Sequence, residues 1–352
     1  MKSARIGQLL SLACFLLINS LLSQAQGKKF NKAGDILIAD QFNNRVIEIN
    51  PETHQVVWQF GTGSSIAGPD TVVGTNDAQK VGPMTLIAGT GIPPGGTPDC
   101  PNGCPDNRVM LVNPGHHIVW QYGQAGVTGS GPDELNTPVQ NTWLPNGHVL
   151  ITDQGNERVI EVTKKKEIVW QYGMTGTIGC GGNQLNNPNS AELLANGDIL
   201  IADENNNRVI EVNRKKQIVW SYGSCTGNQL SGAAFASRLP GGNTLITDSN
   251  NNRILEVDEG GNVVFAYYTN TQMGSISNPL PTRAVRLRNG DTLISNQFDH
   301  QVIEIDPSGN IVFSQGQIAV SGNGFNQLNA PYDAKVIGDY TGLTQPFDSA
   351  SH

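Results

Sequence analysis

The chain has 352 residues, of which 22 are Lys or Arg and 30 are Asp or Glu, giving a formal net charge of −8, and only 15% of residues are charged. An acidic chain of this kind carries no electrostatic footprint for nucleic acid. The 41 glycines, and the lack of any strongly helical stretch after the first thirty residues, point to an all-β protein.

Residues 1–25 combine Lys2 and Arg5 with an apolar run over 6–22 and the small-x-small pattern Ser23-Gln24-Ala25. This reads as a secretory signal peptide, to be set apart from the fold. No other segment is long and apolar enough to span a membrane, so a secreted or periplasmic protein is expected, and a monomer. The cleaved chain keeps Cys100, Cys104, Cys180 and Cys225, an even set suited to an oxidising compartment. Cys100 and Cys104 bracket Pro-Asn-Gly and are expected to bridge one loop. Cys180 and Cys225 occupy matching positions in successive repeats, and their pairing stays open because equivalent positions in neighbouring units can lie too far apart.

From Gly34 onward the sequence is imperfect copies of one unit of roughly 50 residues, a propeller-sized period. The clearest copy is the fourth, from Pro188 to Gly223. An upstream strand ends at the tight-turn pair Asn196-Gly197, an apolar strand covers 199–202, and a mixed strand covers 208–212. A last strand closes on Trp220-Ser221-Tyr222-Gly223. Asn205, Asn206 and Asn207 supply turn chemistry between the second and third strands, because Asn tolerates left-handed backbone.

The first copy, 34–61, lacks the upstream strand. The second opens at Asn76, is interrupted by a Pro-, Gly- and Cys-rich insertion over 90–105, and resumes to Gly123. The third, fifth and sixth copies end at Gly173, Tyr268 and Gly316. After the sixth, Leu328 to Ala334 matches the start of a repeat and stops. The missing first strand thus lies at the other end of the chain, which predicts a ring closed by a C-terminal strand. The expected fold is a six-bladed β-propeller over 26–337, followed by a tail over 338–352.

The recurring phrase Leu-Ile-x-Asp-x-x-Asn-x-Arg-Val-Ile-Glu-Val, with Leu-Asn-x-Pro and Asn-Gly before it and Ile-Val-Trp-x-Tyr-Gly after it, resembles the NHL-repeat family. The blade-ending Trp is also similar to that of quinoprotein-like propellers. The NHL resemblance implies a six-bladed ring used as an extracytoplasmic binding or scaffold module. Its partner would be an extracellular protein, a carbohydrate or a small molecule.

A residue type repeated in every blade solves a problem every blade has, whereas function needs residues placed once. By that rule the pairs Asp40/Arg45, Asp153/Arg158, Asp203/Arg208 and Asp248/Arg253 are local ion pairs at the turn between strands two and three. The functional alternative makes Asp40, Asp153, Asp203 and Asp248 a ring of oxygen ligands for a hard cation such as calcium, serving a metal-assisted lactonase or lyase. The repeated Glu48, Glu161, Glu211, Glu256 and Glu304 read as scaffolding. Trp58, Trp120, Trp170 and Trp220 read as packing between blades.

The departures from the repeat are Gly89 with the insertion after it, and Asn296, Asp299 and His300 in blade six; these last three are the candidate ligand-binding residues. Both departures fall on the face that also carries the long connections between blades, where a ligand is expected. A sulfotransferase-like histidine is missing from 138–144, 188–194 and 233–239, and the remaining histidines do not suggest a converging zinc set.

Overall fold

The computed structural model describes residues 30–339; the expected signal peptide, and the tail from 340 onward, lie outside them. Among the described residues 24 strands form six four-stranded sheets, arranged as a six-bladed β-propeller. Blade one combines Ile36–Asp40, Arg45–Asn50 and Gln55–Phe60 with the C-terminal strand Pro331–Val336, which pairs antiparallel with the first strand from Ile36↔Val336 to Asp40↔Pro331. The closure expected from the split repeat is therefore present.

In every blade the first strand of the repeat lies nearest the axis. These inner strands are Pro331–Val336, Thr75–Val81, Pro138–Trp143, Pro188–Leu193, Ala233–Arg238 and Pro281–Arg286 for blades one to six. Each carries a register irregularity near its start, two residues before the strand settles into regular pairing. Such bulges bend and twist a strand locally.

Packing explains why both faces of a blade carry apolar residues. Leu37, Val46 and Trp58 of blade one interlock with Ala78, Ile87 and Met110 of blade two, and similar clusters fill the other blade interfaces. Each fully buried aliphatic side chain contributes about 1.5–3 kcal/mol.

The repeated polar residues complete the interfaces. Glu48 pairs with Lys80 at 2.8 Å, Glu211 with Arg238 at 2.9 Å and Glu256 with Arg286 at 2.9 Å, each reaching from one blade to the next. The cation lies over the preceding blade's closing aromatic, Trp58, Trp220 or Phe265, 4.7 to 5.6 Å from the ring centroid. Glu161 instead takes His148 and, from the next blade's hairpin tip, Arg214.

The turn after the second strand is a short 3₁₀ segment, such as Glu204–Asn206, followed by a left-handed residue. Those residues are Asn44, Glu157, Asn207, Asn252 and His300. These turns hydrogen-bond to the connections between blades, as in Gly155 N to Asn136 O and Ser249 N to Gly232 O, so both lie on one face.

Both disulfides form. Cys100–Cys104 closes the blade-two insertion, and Cys180–Cys225 ties two adjacent connections on the same face, with Cα atoms 6.4 Å apart. The pairing that the sequence left open is made. Two disulfides are compatible with an extracytoplasmic location. Among the described residues no helix is long and apolar enough to cross a membrane.

Candidate functional site

The four repeated aspartates are fully buried, one per blade, and each is used up where it stands. Asp203 Oδ2 receives Arg208 Nε at 2.7 Å and Asn206 Nδ2 at 2.8 Å, while Oδ1 receives the backbone N–H of Asn186 at 2.8 Å. Asp40, Asp153 and Asp248 repeat this pattern with their own Arg, Asn and backbone donors. The fold does not bring these four carboxylates together. Among the described residues no group of three or more His, Cys, Asp or Glu is placed to hold a metal ion.

The two departures turn out to be compensated versions of the same turn. In blade two a Cβ on Gly89 would sit 2.5 Å from the Asp106 carboxyl carbon. Asp106, two residues before the neighbouring strand Arg108–Val112, fills that space, accepting Arg108 Nε at 2.5 Å and Val73 N at 2.7 Å. In blade six the Asp and Asn exchange places: Asn296 Nδ2 donates to Asp299 Oδ2 at 2.8 Å, and Asp299 also accepts Ser275 Oγ at 2.6 Å and Ile276 N at 3.0 Å.

His300 holds the left-handed position at φ 54°. Its Nδ1 accepts the N–H of Ala330 at 3.0 Å, the same bond that Asn44, Asn207 and Asn252 accept from Gly74, Gly232 and Leu280, each just before the next blade's inner strand. Burial lowers the His300 pKa, keeping that acceptor unprotonated. Asn296, Asp299 and His300 thus meet at one turn, Asp299 and His300 bonded into the frame and Asn296 bonded through Nδ2 alone, its buried Oδ1 having no hydrogen-bond partner among the described residues.

A candidate site lies elsewhere on the same face. A cavity of about 450 Å³ opens between blades one, two and three, walled on one side by the disulfide-closed insertion. Gln41, Asn76, Asn107, Asn136 and Gln154 give it amide groups, Thr90, Thr128 and Thr137 give hydroxyls, and Ile92, Pro93 and Pro94 give an apolar wall. Among the described residues, no charged side chain lines it.

Several lining groups are held in place. Gln297 Nε2 donates to Gln41 Oε1 at 2.7 Å, Gln41 Nε2 to Asn76 Oδ1 at 2.8 Å, and Asn107 Nδ2 to Thr128 Oγ1 at 2.8 Å. The Gln297–Gln41–Asn76 relay ties the cavity wall to blade six, and on the other side the lining Gln154 Nε2 reaches Glu204 Oε2 of blade four, at the mouth of the axis, at 3.4 Å. Glu204 Oε2 also accepts Asn189 Nδ2 at 2.9 Å and Asn187 Nδ2 at 3.1 Å, and desolvation pushes its pKa up.

Below the mouth, the axis holds buried charge. At one level of the ring the inner strands place Asp333, Asp77, Gln140, Ser190, Phe235 and Arg283, all registered against equivalent positions. Lys335 Nζ binds Asp77 Oδ1 at 2.7 Å, the Asp333 carboxylate, and Ala78 O at 3.0 Å. Desolvation, opposed by Lys335, still raises Asp77 to about 6, and burial raises Tyr332 to about 12.

Reasoning from sequence missed both the amide relay and the axial cluster. The rule that function needs residues placed once points to Arg283 and Lys335, each at a position that differs in the other blades, but not to Asp77, whose counterpart is Asp333, nor to Gln41, Gln154 and Gln297, which repeat directly after the Asp or Asn of their blades.

No family model and no curated protein matches the chain. The fold is similar to that of a protein of unknown function from Bacteroides caccae, with TM-score 0.58 and 16% identity over 86% of this chain and 98% of that one. It is also similar to a catalytically inactive virginiamycin B lyase from Staphylococcus aureus with quinupristin, with TM-score 0.51 and 13% identity over 81% and 85% of the two chains. A propeller in a nidogen/laminin complex aligns with TM-score 0.56 and 9% identity over 88% and 99%. At these identities the likeness is one of fold.

Proposed function

We propose that this chain is an exported, NHL-like β-propeller that binds a neutral, hydroxyl- or amide-bearing ligand in the cavity between blades one, two and three. The observation that carries the reading is the cavity itself. It sits on the loop-rich face, combines fixed amide and hydroxyl groups with a proline wall, and has no charged lining residue among those described. Sites of this kind take orientation from a few placed polar groups and affinity from apolar contact. Neutral carbohydrate and uncharged peptide segments fit that chemistry.

Export rests on the N-terminal pattern of residues 1–25 and on the two disulfides. The fold neighbours give general support, since their names pair such propellers with quinupristin in one case and with laminin in another. The lactonase or lyase alternative draws no support from these four aspartates, each of which is bonded within its own turn.

Binding is tested by screening a panel of neutral oligosaccharides in the presence of EDTA, against the intact protein and a variant in which residues 94–103 are replaced by a short Gly-Ser linker. The reading expects capture that survives chelation, is lost in the loop variant, and falls at least tenfold on Asn76→Leu. Capture that disappears with EDTA would revive a metal site.

A further inference from the structure

The axis carries a cation whose carboxylate-binding edge has no partner. Arg283 is 1% exposed. Its Nη1 is fully committed, donating to Asn189 Oδ1 at 3.1 Å, Thr282 O at 3.1 Å and Ala234 O at 3.2 Å. The guanidinium is also held between two rings, 5.0 Å from the Phe235 centroid and 5.2 Å from that of Tyr332. Among the described residues, Nε and Nη2 have no hydrogen-bond acceptor.

Nε and Nη2 together form the side-on fork of a guanidinium, the edge that takes the two oxygens of a carboxylate in parallel. The same chain uses it that way at Arg108, where Nε and Nη2 reach the two oxygens of Asp106 at 2.5 and 3.2 Å. At Arg283 the fork is fixed by three carbonyl-type acceptors on the opposite nitrogen and by two aromatic faces. Little further ordering is needed for it to bind. A buried, unpaired guanidinium edge is costly to a fold. The nearby aspartates do not relieve it, because Asp77 and Asp333 are turned to Lys335.

We propose that the propeller axis is a second binding site, in which the Arg283 fork holds a small carboxylate. The site is separate from the amide-lined cavity and does not depend on it. Because Arg283 is almost completely enclosed, the ligand is of the size of formate or acetate, or presents its carboxylate on a comparably small body. Asp77, Asp333 and Glu204 already face Lys335 and Arg283 across the axis, so an added negative charge favours protonation of Asp77. Binding is therefore tighter at pH 5 than at pH 8.

Calorimetric titration of the whole protein with acetate and with acetamide, at fixed ionic strength, tests this without any variant. Saturable acetate binding, at least tenfold tighter than acetamide and stronger at pH 5, is the expected result. Arg283→Lys keeps the charge but loses the fork, and should weaken acetate at least tenfold. Diffraction from crystals soaked in bromoacetate should place bromine at the axis, with the carboxylate on Nε and Nη2. Equal responses to acetate and acetamide, no saturable binding of either, or water alone at the fork would overturn the proposal.

Discussion

The rim of the propeller and its axis both bury charge, but they balance it differently. At the rim the carboxylate meets one arginine from the same blade in five of the six blades, as in Asp203 with Arg208, and in blade six Asp299 is held by Asn296, Ser275 and Ile276 instead. At the axis Asp77, Asp333, Lys335 and Arg283 come from three different blades, and of their positions only the one shared by Asp77 and Asp333 recurs, in two blades. Rim residues therefore serve closure of each blade, and axial residues depend on the ring being assembled.

Removing the axial lysine should have the largest effect. Lys335→Met leaves two buried carboxylates without their cation, and breaking such a pair costs about 3–5 kcal/mol. Urea melts would measure it, and a loss below about 1 kcal/mol would mean that the axis is wetter than its geometry suggests.

At the rim, Asp203→Asn strips Arg208 of its partner and should cost about 3 kcal/mol. This exceeds the cost of an ordinary turn cap, because the carboxylate accepts three hydrogen bonds while fully buried. Adding Asn206→Asp copies the exchange that blade six makes with Asn296 and Asp299, and should restore part of the loss. Failure of that rescue would break the contrast between an exchangeable rim and a singular axis.

The axis also sets a pH dependence. Asp77 holds its proton more tightly folded, at about 6, than unfolded, where Asp titrates near 3.9. Its contribution is present at low pH and is lost as pH rises from about 4 to about 6, amounting to roughly 3 kcal/mol at most. Asp77→Asn should flatten that part of the stability profile measured by melts at stepped pH. Asp35, raised to about 6 on the opposite side of the repeat, leaves a residual slope.

The smallest effect is expected at His300. His300→Asn keeps the acceptor used in blades one, four and five and should change stability by under about 0.5 kcal/mol, whereas His300→Ala loses one hydrogen bond worth about 1 kcal/mol. Thermal melts of the two variants separate a structural His300 from a ligand contact, which would instead appear as lost binding.

The ring, its closure by the C-terminal strand and the inner strand starts were legible because every blade must solve the same packing problem. Repetition shows that solution six times. The departures were legible too, but their meaning was not: nothing in the order of residues shows that Asp106 fills the space at Gly89, or that Asp299 takes over from Asn296. The axis was harder still. Lys335 and Asp333 stand in a strand that reads as ordinary polar alternation, yet blades are covered on both faces, so alternation does not sort buried from exposed residues. Only assembly of six blades places Arg283 beside Asn189 and Tyr332.

The central claim, a neutral-ligand site walled by the blade-two insertion, is tested most directly by oligosaccharide capture on the intact protein and on the 94–103 loop replacement, side by side in EDTA. The account predicts capture by the first and none by the second, with both melting cooperatively. Equal capture by both proteins would contradict it.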